Sequence, residues 1–458
     1  MSRLVLLALL GLVMIALTAA APWAFEVHRE SGFVLVMMAT GIVALVASLV
    51  IRGAPEGAAL AIVVAVAVVV RVLAMAEPPL LSSDVYRYVW DGRVQGAGIN
   101  PFRYIPADPA LASLRDTAIF PNMNRADYAR TAYPPVAQMF FFLATRFADT
   151  LDAMRLALVA CEIGIVAALL VLLRRLERPR SLIVAYAWHP LAIWEIANAG
   201  HADALMAMLA VAGVLLLVLR RRVLGALVVA CGVLVKPYAI VLLPIFWRPW
   251  ELRAPLLVLS LVAILYLPYI GVGTDVLGFV PVYIHQEGFV DGGGFWLVAL
   301  ARALFGNRPG ILEAYLAIAV ISLGLGALHV LRRPAFYPPR EQVRDAVMLL
   351  LVGLFFLSPN YPWYYLALVP FVSLLDGGIL WVATLSATLL HVWWPTPDDQ
   401  VTRFLIWKTV MNGAWIAALV GTWLIERGRH VLEARAAAHS SAATGPLGPL
   451  SASLPRES

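Results

Sequence analysis

Apolar residues fill this chain in long runs, and polar residues gather in the gaps between them. Runs near 4–24, 32–51 and 57–76 come first, followed by 152–174, 181–199 and 203–219. The rest lie near 254–270, 310–331, 343–358, 361–375, 378–394 and 403–425. Most approach the roughly 20 residues that carry a helix across a bilayer, and backbone polar groups in lipid must be satisfied internally. The pattern predicts an all-α, polytopic integral membrane protein with about twelve crossings. It divides into three N-terminal crossings (1–76), a polar external loop (77–133), a transmembrane bundle (134–425) and a C-terminal tail (426–458).

Two runs do not fit a simple crossing. The run 134–147 is short, so it must re-enter or pack beside the bundle. The run 223–247 lies between arginine clusters expected on the same side, and Lys236-Pro237 splits it into pieces of 13 and 10 residues. Each piece is about 15–20 Å long as helix. Proline starts a helix readily and interrupts one badly, so two half-helices are expected, dipping into the membrane with Lys236 near their turn. The run at 4–21 reads as an uncleaved anchor rather than a signal peptide, because Pro22 follows and Arg3 alone forms the basic flank. From about Ala436 the Ala/Ser/Gly/Pro composition reads as disordered.

Composition excludes a soluble domain: 62% of residues are hydrophobic and 14% charged. The net charge of +6 arises from arginines at the ends of apolar runs, the bias that holds loops on the cytoplasmic side rather than a nucleic-acid footprint. It places both termini in the cytoplasm and the 77–133 loop outside, which is the periplasm if the source is a Gram-negative bacterium. Only two lysines, Lys236 and Lys408, stand against 32 arginines, and both fall in apolar segments. A charge at membrane depth is costly, so Lys236 is a functional candidate, with snorkelling to the interface as its plainer reading; Lys408 is placed to snorkel. Cys161 and Cys231 lie in apolar runs and imply no disulfide framework.

The 57-residue stretch 77–133 balances six acids against six arginines. A connection of that length is uncommon without structure or function of its own. Ser82 or Ser83 caps a helix beginning at Asp84, in which Asp84, Arg87 or Tyr88, Asp91 and Gln95 share a face. Gly96 and Gly98 end it, and a second short helix is expected near 108–116. The first is expected to lie amphipathically on the membrane surface. An acid in the first turn meets the positive end of the helix dipole. An ionised carboxylate there can take a proton from an attacking hydroxyl; alternatively Asp84 is simply paired with Arg87.

The run Ser83-Asp84-Val85-Tyr86-Arg87-Tyr88, the Asn100-Pro101-Phe102 turn and Tyr133-Pro134-Pro135 resemble the first external loop of the GT-C superfamily of membrane glycosyltransferases. The nearest resemblance is to bacterial and mycobacterial polyprenyl-phosphate-mannose mannosyltransferases. It extends to Gly200-His201-Ala202-Asp203 and Lys236-Pro237-Tyr238. In that superfamily the loop usually follows the first crossing; here it follows the third, so either a hairpin has been added at the front, which preserves sidedness, or one early segment is not a true crossing. The resemblance implies Asp84 as catalytic base. It also implies transfer of a hexose, with mannose expected, from a polyprenyl-phosphate donor to a lipid or lipid-linked glycan acceptor, with inversion at the anomeric carbon.

Donor-phosphate contacts are expected from Lys236, Arg87 and His285, the last of which is equally well read as simply solvated. Substrate contacts are expected from Tyr88, Asp91, Tyr133, His201, Asp203, Asn360, Tyr361, Trp363 and Tyr364. His201 and Asp203 suit sugar or structural hydrogen bonding better than a metal pair, since two ligands do not make a site. Asn360–Tyr365 reads either as an interfacial aromatic belt or as a sugar platform, and the 271–294 loop as a cover. No cofactor is expected, and metal independence is favoured. The rival readings are an O-antigen-ligase-like transferase, which carries its large loop late, and a transporter or flippase. The broken helix fits the latter, whereas the missing internal repeat does not.

Overall fold

The computed structural model describes residues 2–334, 336–392 and 400–443. These residues form helices joined by turns, with no strand among them. Helix α1 (Arg3–Val50) is 48 residues long. As one rod it would span about 70 Å, more than twice a bilayer's hydrocarbon core. It folds back at Arg29, whose φ is 54°. The Arg3 guanidinium reaches the carbonyl of Arg52, so the two limbs return to the same end. Helix α2 (Glu56–Ala76) then carries the chain to the opposite end. Three antiparallel limbs thus precede the polar stretch.

That stretch contains α3 (Asp84–Gly96) and a 3-10 turn at Pro109–Leu114 capped by Asp108. The expected membrane-surface helix is instead a buried one. Val85, Arg87, Tyr88, Val89, Trp90, Asp91, Gly92 and Val94 are all buried, because α4 (Pro135–Phe147) packs along it. At 13 residues, or about 20 Å, α4 is too short to cross. It uses Gln138 to meet the polar groups of α3: its Nε2 donates to Asp91 Oδ2 at 3.0 Å, and Gln95 Nε2 donates to Gln138 Oε1 at 3.0 Å. Tyr88 stacks on Phe141 at 4.5 Å. Buried polar groups survive because they are paired.

Helix α5 (Leu151–Arg175) returns toward the arginine-rich end. The run expected as a regular helix at 181–199 is irregular: a 3-10 turn at Arg180–Ile183, α6 (Val184–Ala187), and a π-helical segment at Ala192–Asn198. Pro190 accounts for the break, since it has no N–H to continue the ladder; the His189 ring accepts from the Leu191 N–H instead. This run fills the core, with Trp188 and Trp194 fully buried.

Helices α7 (Asp203–Val218) and α8 (Arg222–Val233) follow. The expected break at Lys236 is present, but the second half, Pro237–Phe246, is a 3-10 helix. It folds back on α8, bringing Phe246 against Gly225. Helix α9 (Arg253–Tyr266) bends by 108° into the 270–286 segment, which ends in α10 (Val280–Gln286). Helices α11 (Trp296–Phe305), α12 (Ile311–Leu331) and α13 (Pro339–Leu357) complete that side. Two 3-10 turns at Pro362–Ala367 and Val369–Ser373 occupy the run expected as a crossing at 361–375. The chain then forms α14 (Gly378–Ser386) and α15 (Gln400–Ala443).

Among the described residues, by length and composition, five helices suffice to cross a membrane, or six if the bent pair counts as one, with the folded α1 counted once. Several of the apolar runs are present as shorter helical pieces, among them Asp203–Val218, Arg222–Val233, Pro237–Phe246 and Trp296–Phe305. The tail expected to be disordered from about Ala436 continues α15 as far as Ala443. Its alanines are the best helix formers. The rest of that expectation falls on residues 444–458, outside the described residues.

Close packing of α3 on α4 turns on Gly92, where a Cβ would lie 2.4 Å from the Phe141 carbonyl oxygen and 2.6 Å from Thr145 Oγ1. Gly92→Ala gains up to about 1 kcal/mol of helix propensity but over-packs the contact at a cost of about 1–3 kcal/mol. It is expected to lower the thermal unfolding midpoint in detergent. Gly57→Ala in α2, where nothing lies within 4 Å, is expected to leave the midpoint unchanged or raise it.

Candidate functional site

The approach to α3 is pinned from beneath. Asn198 Nδ2 donates to the carbonyls of Ala74 and Pro78, both at 3.0 Å, and its Oδ1 accepts from the Leu80 N–H at 3.0 Å. Arg155 donates to the carbonyls of Ala197 and Ala74. These bonds satisfy carbonyls at the end of α2 that have no helical partner, and they fix where the next helix starts. Ser82 Oγ accepts from the Asp84 N–H at 3.2 Å.

Asp84 is half-buried at the edge of a cavity of about 620 Å³. Asn124 Nδ2 donates to its Oδ1 at 2.9 Å, and the Tyr133 hydroxyl lies 3.4 Å from Oδ2, a long contact. Among the described residues no cation pairs with it. Arg87 does not, contrary to the simple pairing the sequence allowed. Its Nε donates to Asp91 Oδ1 at 2.8 Å and its Nη1 to the Ala129 carbonyl at 3.0 Å. With Gln138 on the other oxygen of Asp91, this cluster is internally satisfied. Burial, with the Asp84 charge nearby, pushes the Tyr133 phenol well above its ordinary range, so it remains a neutral donor.

The facing wall is built around Lys236, at the break after α8. Its Nζ lies 3.1 Å from Asp203 Oδ2 in the first turn of α7. The Tyr133 and Tyr364 rings face it at 5.3 and 5.5 Å. The Tyr238 hydroxyl donates to Asp203 Oδ1 at 3.1 Å. Asp203 thus lies behind Lys236, not in the cavity lining. His201 is likewise fully buried; it stacks behind Trp363 at 4.2 Å, and Trp363 stacks on Tyr361 at 4.5 Å. Its Nδ1 lies 3.0 Å from Glu195 Oε2, and Glu195 Oε1 lies 2.7 Å from His391 Nε2. Among the described residues no three His, Cys, Asp or Glu side chains are grouped to hold a metal ion.

Of the residues picked out in the sequence, Asp84, Arg87, Tyr133, Lys236, Asn360, Tyr361, Trp363 and Tyr364 line this one cavity. Tyr88, Asp91, His201 and Asp203 form the layer beneath, and His285 is exposed outside it. It is Tyr283 on α10 and Glu287 at its C-terminal cap, one turn apart on the same face, that reach inward. Asn360 Nδ2 donates to Glu287 Oε2 at 2.6 Å, and the Tyr361 hydroxyl to Oε1 at 3.2 Å. The Tyr283 and Tyr364 hydroxyls are 3.1 Å apart. The 271–294 segment expected as a cover is therefore bonded to the 360–364 wall.

Sequence reasoning also missed Arg125 and Arg130, both in the lining. Arg130 pairs with Asp275 at 2.9 Å. Arg125 has a φ of 55° and lies over the Phe279 ring at 5.7 Å; among the described residues no carboxylate pairs with it. The balanced charge of the loop hid it, since pairing is decided by the fold.

The closed Arg87–Asp91–Gln138 cluster gives a structural prediction. Arg87→Met leaves a buried carboxylate unpaired and is expected to cost about 3–5 kcal/mol. Arg87→Met combined with Asp91→Leu is expected to cost less than the sum of the two single changes. Unfolding midpoints of the singles and the double in detergent check this.

Residues 4–251 match a protein-family model described as "Alpha-(1->6)-mannopyranosyltransferase, N-terminal domain". No curated protein matches the chain. The matched part holds Asp84, Asn124, Arg125, Tyr133 and Lys236, whereas Glu287 and the 360–364 wall lie beyond it. On a match that covers more than half of its length, the chain belongs to this mannosyltransferase family.

Proposed function

We propose that this membrane protein transfers mannose from a polyprenyl-phosphate donor to a hydroxyl of a lipid or lipid-linked glycan, on the external face of the bacterial inner membrane. Both termini are then cytoplasmic. The reading is carried by one observation: an acid that no cation pairs with among the described residues and a buried lysine line the same cavity, one wall of which is apolar. Phe279, Val280, Ile284, Phe289 and Leu357 contribute to that wall. On α10, Val280, Val282 and Ile284 are exposed, which suits a segment bordered by lipid. A polyprenyl chain has a path there, and a soluble sugar nucleotide would make no use of it.

In this mechanism Asp84 is the general base. Its Oδ2, with only the long Tyr133 contact, accepts the proton of the acceptor hydroxyl as that oxygen attacks the donor's anomeric carbon. Asn124 holds the other carboxylate oxygen. The C–O bond to phosphate breaks as the new glycosidic bond forms on the opposite face, so a β-linked donor gives an α-linked product. That sense of transfer accords with the α-(1→6) linkage in the family description. Phosphate is a good leaving group and needs no strong general acid. What it needs is positive charge placed in advance. Lys236, Arg125 and Arg130 supply it, with Arg87 at the margin, and no metal is invoked. The Tyr361–Trp363 stack offers a flat apolar surface for a sugar face.

The test supplies the purified protein with radiolabelled polyprenyl-phosphate mannose and a membrane lipid extract. A labelled, lipid-linked product is expected. Asp84→Asn is expected to lower its rate by about 10²–10⁴-fold, the range of a general base, without changing the unfolding midpoint by more than about 0.5 kcal/mol in equivalent stability. Unaltered transfer by this variant would remove Asp84 from the role. Movement of label across sealed vesicles without a new glycoside would favour a transporter instead.

A further inference from the structure

At the opposite end of the bundle, separated from the first cavity by the about 30 Å length of α2, lies a second pocket of about 350 Å³. Its walls are apolar, with Leu45, Leu49, Leu182, Ala185, Trp381 and Val382 among them, and its rim carries Arg52, Arg178 and Asp376. Asp376 accepts from Arg52 at 2.9 Å, from Arg178 at 2.8 Å and from Arg340 at 3.4 Å. Among the described residues these three guanidiniums share that single carboxylate, so the rim carries an excess of positive charge. Ser373, only 2% exposed, lines the pocket, and among the described residues its hydroxyl has no hydrogen-bond partner. A buried hydroxyl left unpaired is unfavourable, and its presence beside apolar walls marks a place for an occupant with an acceptor oxygen.

We propose that this pocket binds an anionic phospholipid. The phosphate headgroup sits at Arg52 and Arg178, a glycerol or ester oxygen accepts from Ser373, and an acyl chain lies against Leu45 and Leu49. Leu49 lines the pocket and is also 58% exposed, so the pocket opens onto the lipid-facing side of α1. A free phosphate ion makes no use of these walls, and a zwitterionic lipid makes less use of the rim. Basic pockets between membrane helices favour anionic headgroups for this reason. The site serves to seat the arginine-rich end in its leaflet, and nothing in the transfer reaction requires it.

Native mass spectrometry of the full chain in mild detergent tests this, after exchange with phosphatidylglycerol, phosphatidylcholine or inorganic phosphate. Phosphatidylglycerol is expected to be retained at least about five-fold more than phosphatidylcholine. Arg52→Gln is expected to lower its retention about five-fold, the effect of one arginine near a headgroup. Leu49→Trp fills the mouth from an exposed position without touching the ion pairs, and is expected to lower retention to a similar degree. Lipid-free unfolding midpoints identify any variant lost through misfolding; since Leu49 is exposed, that variant decides the matter if Arg52→Gln is unstable. Equal retention of the two lipids, undiminished retention in a folded Leu49→Trp protein, or displacement of lipid by millimolar inorganic phosphate would each overturn the proposal.

Discussion

A charged amine in the interior of an apolar chain must have a counter-charge, and the pairing of Lys236 with Asp203 is the constraint around which the candidate site is arranged. The two meet at 3.1 Å from different elements, the break after α8 and the first turn of α7. Tyr238 adds a bond to the same carboxylate and another to the Tyr364 carbonyl. The hairpin, α7 and the 360–364 wall are thereby tied together at one point. Loss of either partner of such a pair strands a buried charge, which costs several kcal/mol.

The other wall follows the opposite logic: among the described residues no cation pairs with Asp84, the acid proposed as base. Arg87 is the nearest cation to Asp84 in the chain, and it is taken by Asp91, Gln138 and the Ala129 carbonyl. Asp84 keeps neutral donors, Asn124 and Tyr133. A carboxylate locked in a salt bridge would be a poor base; one held by neutral donors keeps a lone pair for an incoming proton. The structural acids are paired and buried, and the acid proposed for chemistry is open to the cavity.

The two ends of the molecule also divide the work. Helix α2 links a polar, aromatic end with the large cavity to an arginine-rich end where Asp376 gathers three guanidiniums. Charge is placed at the ends of the apolar elements or in pairs within them, as a chain with 62% hydrophobic residues requires.

Much of this was legible in local pattern. The all-α membrane class, the fold-back before residue 32, the helix opening at Asp84 and the break at Lys236 all follow from apolar periodicity, capping residues and proline. So did eight of the residues that line the cavity. Local pattern misjudged α3 as a surface helix, because its Arg87–Asp91 pair looks solvated until Gln138 arrives from α4, 47 residues beyond Asp91. It chose His285 over Glu287, since the inward face of α10 is set by what packs against it. It gave no role to Arg125, whose freedom depends on where every other carboxylate goes. The sequence by itself determined which segments are helical and which charges are too costly to bury alone, because propensity and desolvation act residue by residue. Only the tertiary structure decided which charges are paired and which stay open, because an ion pair forms across a few ångströms of space between groups far apart along the chain.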